Sequence, residues 1–134
     1  MEKLTGGCLC GEVRFEVLDN FQQFHLCHCA QCRRITGSAH ASNLFTSAGN
    51  LSFVTGEDRI TSYVDAARDF SKSFCQCCGS GLPHTSPSSG NWVVPAGSLD
   101  TSPSLQPQDN IFWADRAEWY EAGIKAQRCE GFPD

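Results

Sequence analysis

Val13, Phe15 and Val17 alternate with Glu12, Arg14 and Glu16, a period-2 rhythm that predicts a half-buried β-strand through residues 12–19. The same short alternation recurs along the chain. Phe24 and Leu26 flank His25 in a short strand, and residues 39–45 form another whose small side chains let a ligand or a second strand come close. Leu51 and Phe53, then Ile60, Tyr63 and Val64, mark two more, joined by a turn at Gly56-Glu57-Asp58. Phe70 and Phe74 bracket a further segment, Trp92 to Pro95 reads as one strand, and residues 111–115 read as the last. The remainder is turn chemistry: glycines 6, 7 and 11 around two cysteines, a Pro/Ser/Gly turn over 85–91, and a polar loop over 97–109. From Arg116 onward a loosely held tail is expected, with a short helix near Glu118–Gly123. Many short strands, no internal repeat and no linker predict a single, mainly β domain over 1–134.

Composition adds little to that picture except by exclusion. Hydrophobic residues make up 40% and charged residues 19%, which suits a folded chain rather than a disordered one. No apolar run approaches the roughly 20 residues needed to cross a bilayer, and the first ten residues, MEKLTGGCLC, lack the apolar segment of a secretory signal. A cytoplasmic protein with no membrane partner is the expectation. The formal charge is −5, and Arg33-Arg34 is the longest basic run, so a nucleic-acid partner is not expected. No exposed apolar stripe stands out either.

The nine cysteines change the picture. Their odd number, the adjacent pair Cys77-Cys78 and the Cys-x-Cys spacings are awkward for disulfides, whereas clustered thiols in a reducing compartment read as metal ligands. They fall into three clusters. Cys8-x-Cys10 and Cys75-x-x-Cys78-Gly79 are two short-spaced pairs, and the most economical wiring joins them in a closed four-thiolate zinc site. Such a site would clamp the first strand to the middle of the chain. Cys27, Cys29 and Cys32 are then left as a set of three, drawn together by a tight turn, with Arg33-Arg34 directly behind. Two readings of this set stay open. It is a second structural site completed by His28, His40, His84 or Cys77, or it is a reactive site whose fourth position is left to water or substrate. Cys77 and Cys129 have no assigned part. His40 and His84 are candidate acid/base groups, and Arg33 and Arg34 are suited to a substrate carboxylate.

Taken together, GGCLCGEVRFEV, CHCAQCRRITGS, FCQCCGSGL and IFWADRAEWY resemble the family of glutathione-dependent formaldehyde-activating enzymes, over nearly the whole chain and in the same order. That family belongs to the wider group with the Mss4-like fold, and its domain also occurs in a centromere protein. The resemblance implies several small coiled antiparallel sheets stapled by two Zn²⁺ ions. By analogy Cys8, Cys10, Cys75 and Cys78 hold the structural zinc, and Cys27, Cys29 and Cys32 the catalytic one. It implies a carbon–sulfur lyase-type activity, that of an S-(hydroxymethyl)glutathione synthase, with glutathione and formaldehyde as substrates. An ion with an open position lowers the pKa of a thiol and polarises a carbonyl, so the chemistry suits the site. The departure from the family pattern is Cys77, an extra thiol inside the second pair. A related enzyme acting on another thiol is one alternative. Another is a non-catalytic, zinc-binding interaction module, since the fold group includes a protein that binds a small GTPase.

Overall fold

The computed structural model describes residues 1–133; Asp134, the last residue of the expected domain, lies outside them. Eleven strands are present among the described residues: β1 (Lys3–Gly7), β2 (Arg14–Leu18), β3 (Gln23–Cys27), β4 (Ala41–Thr46), β5 (Leu51–Thr55), β6 (Ile60–Asp65), β7 (Phe70–Cys75), β8 (Gly81–Leu82), β9 (His84–Thr85), β10 (Trp92–Pro95) and β11 (Asp109–Ile111). Two short helices join them, α1 (Ala30–Thr36) and α2 (Tyr120–Lys125). The strands form three small sheets, ordered β1-β2-β5, β11-β3-β4-β10-β9 and β6-β7-β8. This is the mainly β architecture of the Mss4-like group.

The alternation in β2 explains the centre of the molecule. Phe15 and Val17 turn inward to meet Leu4, Phe24, Leu44, Leu51 and Val94, so one apolar cluster joins the first sheet to the five-stranded sheet. A second cluster of Cys8, Val13, Cys75 and Leu82 joins the first sheet to the third. A third, smaller one gathers Cys27, Cys32 and Ala41 where β3, α1 and β4 meet. The two cysteine-bearing clusters are thus part of the packing that joins these elements.

Several sequence expectations need correction. The glycines near the N-terminus do not all serve a turn: residues 3–7 pair with β2 along their length, leaving the turn to residues 8–11. Gly6 is there for close approach, since a Cβ would lie 2.5 Å from both the Phe15 ring and the Ser98 carbonyl oxygen. The segment 111–115 is not a strand. Ile111 ends β11, Phe112 takes a left-handed conformation (φ 54°), and Trp113–Asp115 form a single 3-10 turn. β11 pairs parallel with β3, the one parallel pairing among the described residues. The C-terminal segment is anchored at its start, where Tyr120 packs against His28, His40 and Trp113, while residues 121–133 beyond it are exposed. Its helix lies two residues later than expected, at Tyr120–Lys125.

Candidate metal centres

Sulfur positions define two groups. The Sγ atoms of Cys8, Cys10, Cys75 and Cys78 all lie within 4.8 Å of one another, as do those of Cys27, Cys29 and Cys32. Four sulfurs held about 2.3 Å from one zinc ion stand roughly 3.8 Å apart. The separations of 3.6 Å for Cys8–Cys10 and 3.8 Å for Cys10–Cys75 fit that spacing. Both donor sets can therefore hold a soft, tetrahedral cation.

The first group is built from two turns facing each other. After β1 the chain folds back so that the Val13 amide donates to Cys8 Sγ at 3.3 Å, and after β7 the Cys77 amide donates to Cys75 Sγ at 3.4 Å. Ser80 ties the two turns together by accepting from the Leu9 amide at 3.0 Å. The contacts on Cys8 and Cys78 favour the thiolate at those two positions. Burial is the largest influence on Cys8 and works against its anion, but the Val13 and Gly11 amides and the neighbouring thiols together outweigh it, and the Ser80 hydroxyl and amide bring Cys78 down to about 5. Cys77 is exposed and does not join the group.

The second group rests on a strand end and a helix start rather than on a turn alone. Cys27 closes β3, Cys29 is the N-cap of α1, and Cys32 sits one turn in. Cys29 Sγ accepts from the Cys32 amide at 3.3 Å, the contact an N-cap side chain makes with the third helical residue. Burial alone would raise the Cys29 thiol, but that amide and the neighbouring thiols hold it below the ordinary value, while burial pushes Cys32 up. Among the described residues no histidine nitrogen, carboxylate oxygen or further thiol joins these three at ligand spacing. His28 is fully buried, and its Nε2–H donates to Asn110 Oδ1 at 2.9 Å. His40 and His84 lie farther along a cleft, and Cys77 belongs beside the other group.

That cleft, of about 210 Å³, has Cys32 in its wall together with Ile35, Thr36, His40, Lys72 and His84. It adjoins a wider groove of about 570 Å³, with Ile35, Thr36, Lys72, Pro95 and Gly97 common to both. Burial lowers the pKa of His40 and His84, favouring neutral imidazoles, and burial also lowers that of Lys72, against an opposing pull from Cys32. Helical spacing divides α1 between two surfaces. Cys32, Ile35 and Thr36 face this cleft, whereas Ala30, Arg33, Arg34 and Gly37 line a separate hollow with Trp119. Arg33 and Arg34 therefore stand behind the cysteines on the other side of the helix. Lys72 was missed in the sequence. Its one signal is that it occupies, between Phe70 and Phe74, a place where the alternation calls for an apolar side chain.

The chain is similar over most of its length to known proteins. A Halomonas elongata protein named for the glutathione-dependent formaldehyde-activating enzymes is 30% identical over 141 residues, covering 98% of this chain and 89% of its own. A crystal structure of a Rhodobacter sphaeroides protein superposes with a TM-score of 0.58 at 26% identity, over 80% of this chain and 98% of that one. The family model for glutathione-dependent formaldehyde-activating enzyme matches residues 3–115, a span that takes in both sulfur groups and the cleft beside Cys32. The chain belongs to the family of glutathione-dependent formaldehyde-activating enzymes.

Proposed function

We propose that this protein, as one domain over residues 1–134, is a cytoplasmic, zinc-dependent carbon–sulfur lyase-type enzyme that joins formaldehyde to the thiol of glutathione as S-(hydroxymethyl)glutathione. The observation that carries the reading is the set of three thiols with no fourth donor at ligand spacing among the described residues, beside a cleft. Zinc fits sulfur donors, and with one position open it would hold a substrate thiol in its anionic form and polarise a carbonyl. The chain's own part is positioning. Cys27 and Cys32 are fixed by packing, Cys29 by the start of α1, and the cleft brings the two reactants together out of bulk water. Neutral His40 and His84 are placed to exchange a proton with the hydroxymethyl oxygen as it forms. The steering role assigned to Arg33 and Arg34 applies to a carboxylate that reaches past Cys29 into their own hollow. Cys8, Cys10, Cys75 and Cys78 hold a second zinc that staples the fold.

The test is Cys29→Ser, with zinc per chain and adduct formation measured together. Because formaldehyde adds to glutathione unaided, rates are taken against the uncatalysed reaction. Wild-type protein should carry two zinc ions and accelerate the addition, and the variant should carry one and not accelerate it. A fully active one-zinc variant would remove the mechanism. A second reading, an interaction module, draws on one feature the sequence did not reveal: Phe112, Trp119, Ile124 and Phe132 are all exposed in the C-terminal segment. Wild-type protein that carries both zinc ions and leaves the addition rate unchanged would favour it.

A further inference from the structure

Among the groups that line the cleft and the adjoining groove, the charges do not balance. Arg14 and Asp100 neutralise each other across the groove through a paired guanidinium and carboxylate. Lys72, standing where cleft and groove join, forms no ion pair and no hydrogen bond among the described residues. Its half-buried ammonium lies against Gly81, where a Cβ would come within 2.6 Å of Nζ, so the backbone of β8 leaves room for this side chain. A cation withdrawn from water without a partner is costly, and the cost is recovered when an anion arrives. The protein's own anionic candidates are the thiolates around Cys32, and a divalent cation held by three of them would cut their net charge from −3 to −1.

We propose that Lys72 is a specificity-determining residue of the cleft: its ammonium receives a carboxylate of the thiol substrate and so selects carboxylate-bearing thiols over uncharged ones. The proposal rests on the reading of the three-cysteine site as a thiol site. It differs from the role assigned to Arg33 and Arg34, which face a hollow that shares no residue with the cleft.

The experiment compares glutathione with its diethyl ester on zinc-loaded wild-type protein and on Lys72→Met, Lys72→Gln, Lys72→Arg and Arg34→Ala, by titration calorimetry and by initial rates of formaldehyde addition. Wild type should prefer glutathione by about 10–100-fold, the weight of one hydrogen bond to a charged group. Met and Gln should lose that preference through Kd and KM, with kcat and zinc content unchanged. Arg should restore most of it, and Arg34→Ala, which removes only the carboxylate contact in the other hollow, should lower it without abolishing it. Several results overturn the proposal: a preference that survives in both Met and Gln variants, equal weakening of acid and ester accompanied by zinc loss (the mark of a lysine that only balances thiolate charge), loss of the preference in Arg34→Ala alone, or a wild type that shows no preference at all. A wild type that discriminates through Lys72 without accelerating the addition would instead remove the proposed reaction and leave the carboxylate site standing.

Discussion

Replacing Cys75 by serine should destabilise the protein much more than replacing Cys29 by serine, although each removes one sulfur from one group. The difference lies in the length of chain each group ties together. Cys10 and Cys75 are 65 residues apart, and their group joins the first sheet to the third. Cys27 and Cys32 are about five residues apart within one strand-to-helix connection. Closing a loop costs the unfolded chain roughly (3/2)RT ln n, about 3.7 kcal/mol for the long loop and about 1.4 for the short one, a difference of about 2.3 kcal/mol. With an unfolding entropy of about 2.1 cal/mol/K per residue, a chain of this length shifts its Tm by about 8 °C for that difference. Two further effects act in the same direction. The local trio can still bind metal in the unfolded chain, which reduces its contribution to folding. Cys75 has no exposed surface and packs with Val13 and Leu82, so a hydroxyl there also loses packing. Serine suits position 29 because a hydroxyl remains a good helix cap. The assay is thermal unfolding by circular dichroism under reducing conditions, with zinc per chain measured on the same samples. Equal losses of Tm would refute the distinction between a long-range clamp and a local site.

Gly56 takes a left-handed conformation (φ 75°), and a Cβ there would fall on the Glu12 carbonyl group, which is backbone and cannot swing aside. Gly56→Ala should cost about 2–4 kcal/mol, combining left-handed strain with overpacking; chemical denaturation should show it as a lower midpoint at unchanged slope, and an unchanged midpoint would contradict the geometry. Cys77 serves the first group through its backbone amide rather than its sulfur. Cys77→Ala should therefore keep both zinc content and Tm, while Cys77→Pro, which deletes the amide hydrogen, should weaken zinc retention against a chelator.

How much was legible in the sequence follows from what each element depends on. β2, β3, β5, β6, β7 and β10 are written in local alternation, and the structure has strands at each. The pairing of the first and third cysteine clusters was readable because four thiols in two short pairs complete a tetrahedron. α1 was not readable. It has only seven residues, its N-cap is a cysteine rather than Ser, Thr, Asp or Asn, and its inward face is no more than Cys32, Ile35 and Thr36. The parallel pairing of β11 with β3 is a tertiary event with no local signal. Its end at Phe112, a bulky residue in a left-handed conformation, runs against what a sequence of aromatic residues suggests. The cleft is of the same kind: α1, β4, β7 and the turn after β10 supply its walls, and only their assembly puts Lys72 beside Cys32.

The shortness of α1 makes the second group more than a set of donors. A seven-residue helix has little stability of its own, so its position depends on its ends and on the residues it buries. At one end the Cys29 sulfur caps the Cys32 amide, and the buried residue is Cys32 itself, packed with Cys27 and Ala41. The groups that would hold the ion are thus the groups that hold the helix. The helix in turn carries Ile35 and Thr36 into the cleft wall on one face and Arg33 and Arg34 into the other hollow. Filling the site would fix Cys29 and Cys32 relative to Cys27, and with them the register of both walls. Emptying it would leave, in place of an ion, three neighbouring thiols, of which burial keeps Cys32 protonated and the Cys32 amide favours the Cys29 anion. The metal-free protein should then show fast amide exchange confined to α1 while β3 and β4 stay protected, since those strands are held by the backbone hydrogen bonds of an antiparallel ladder.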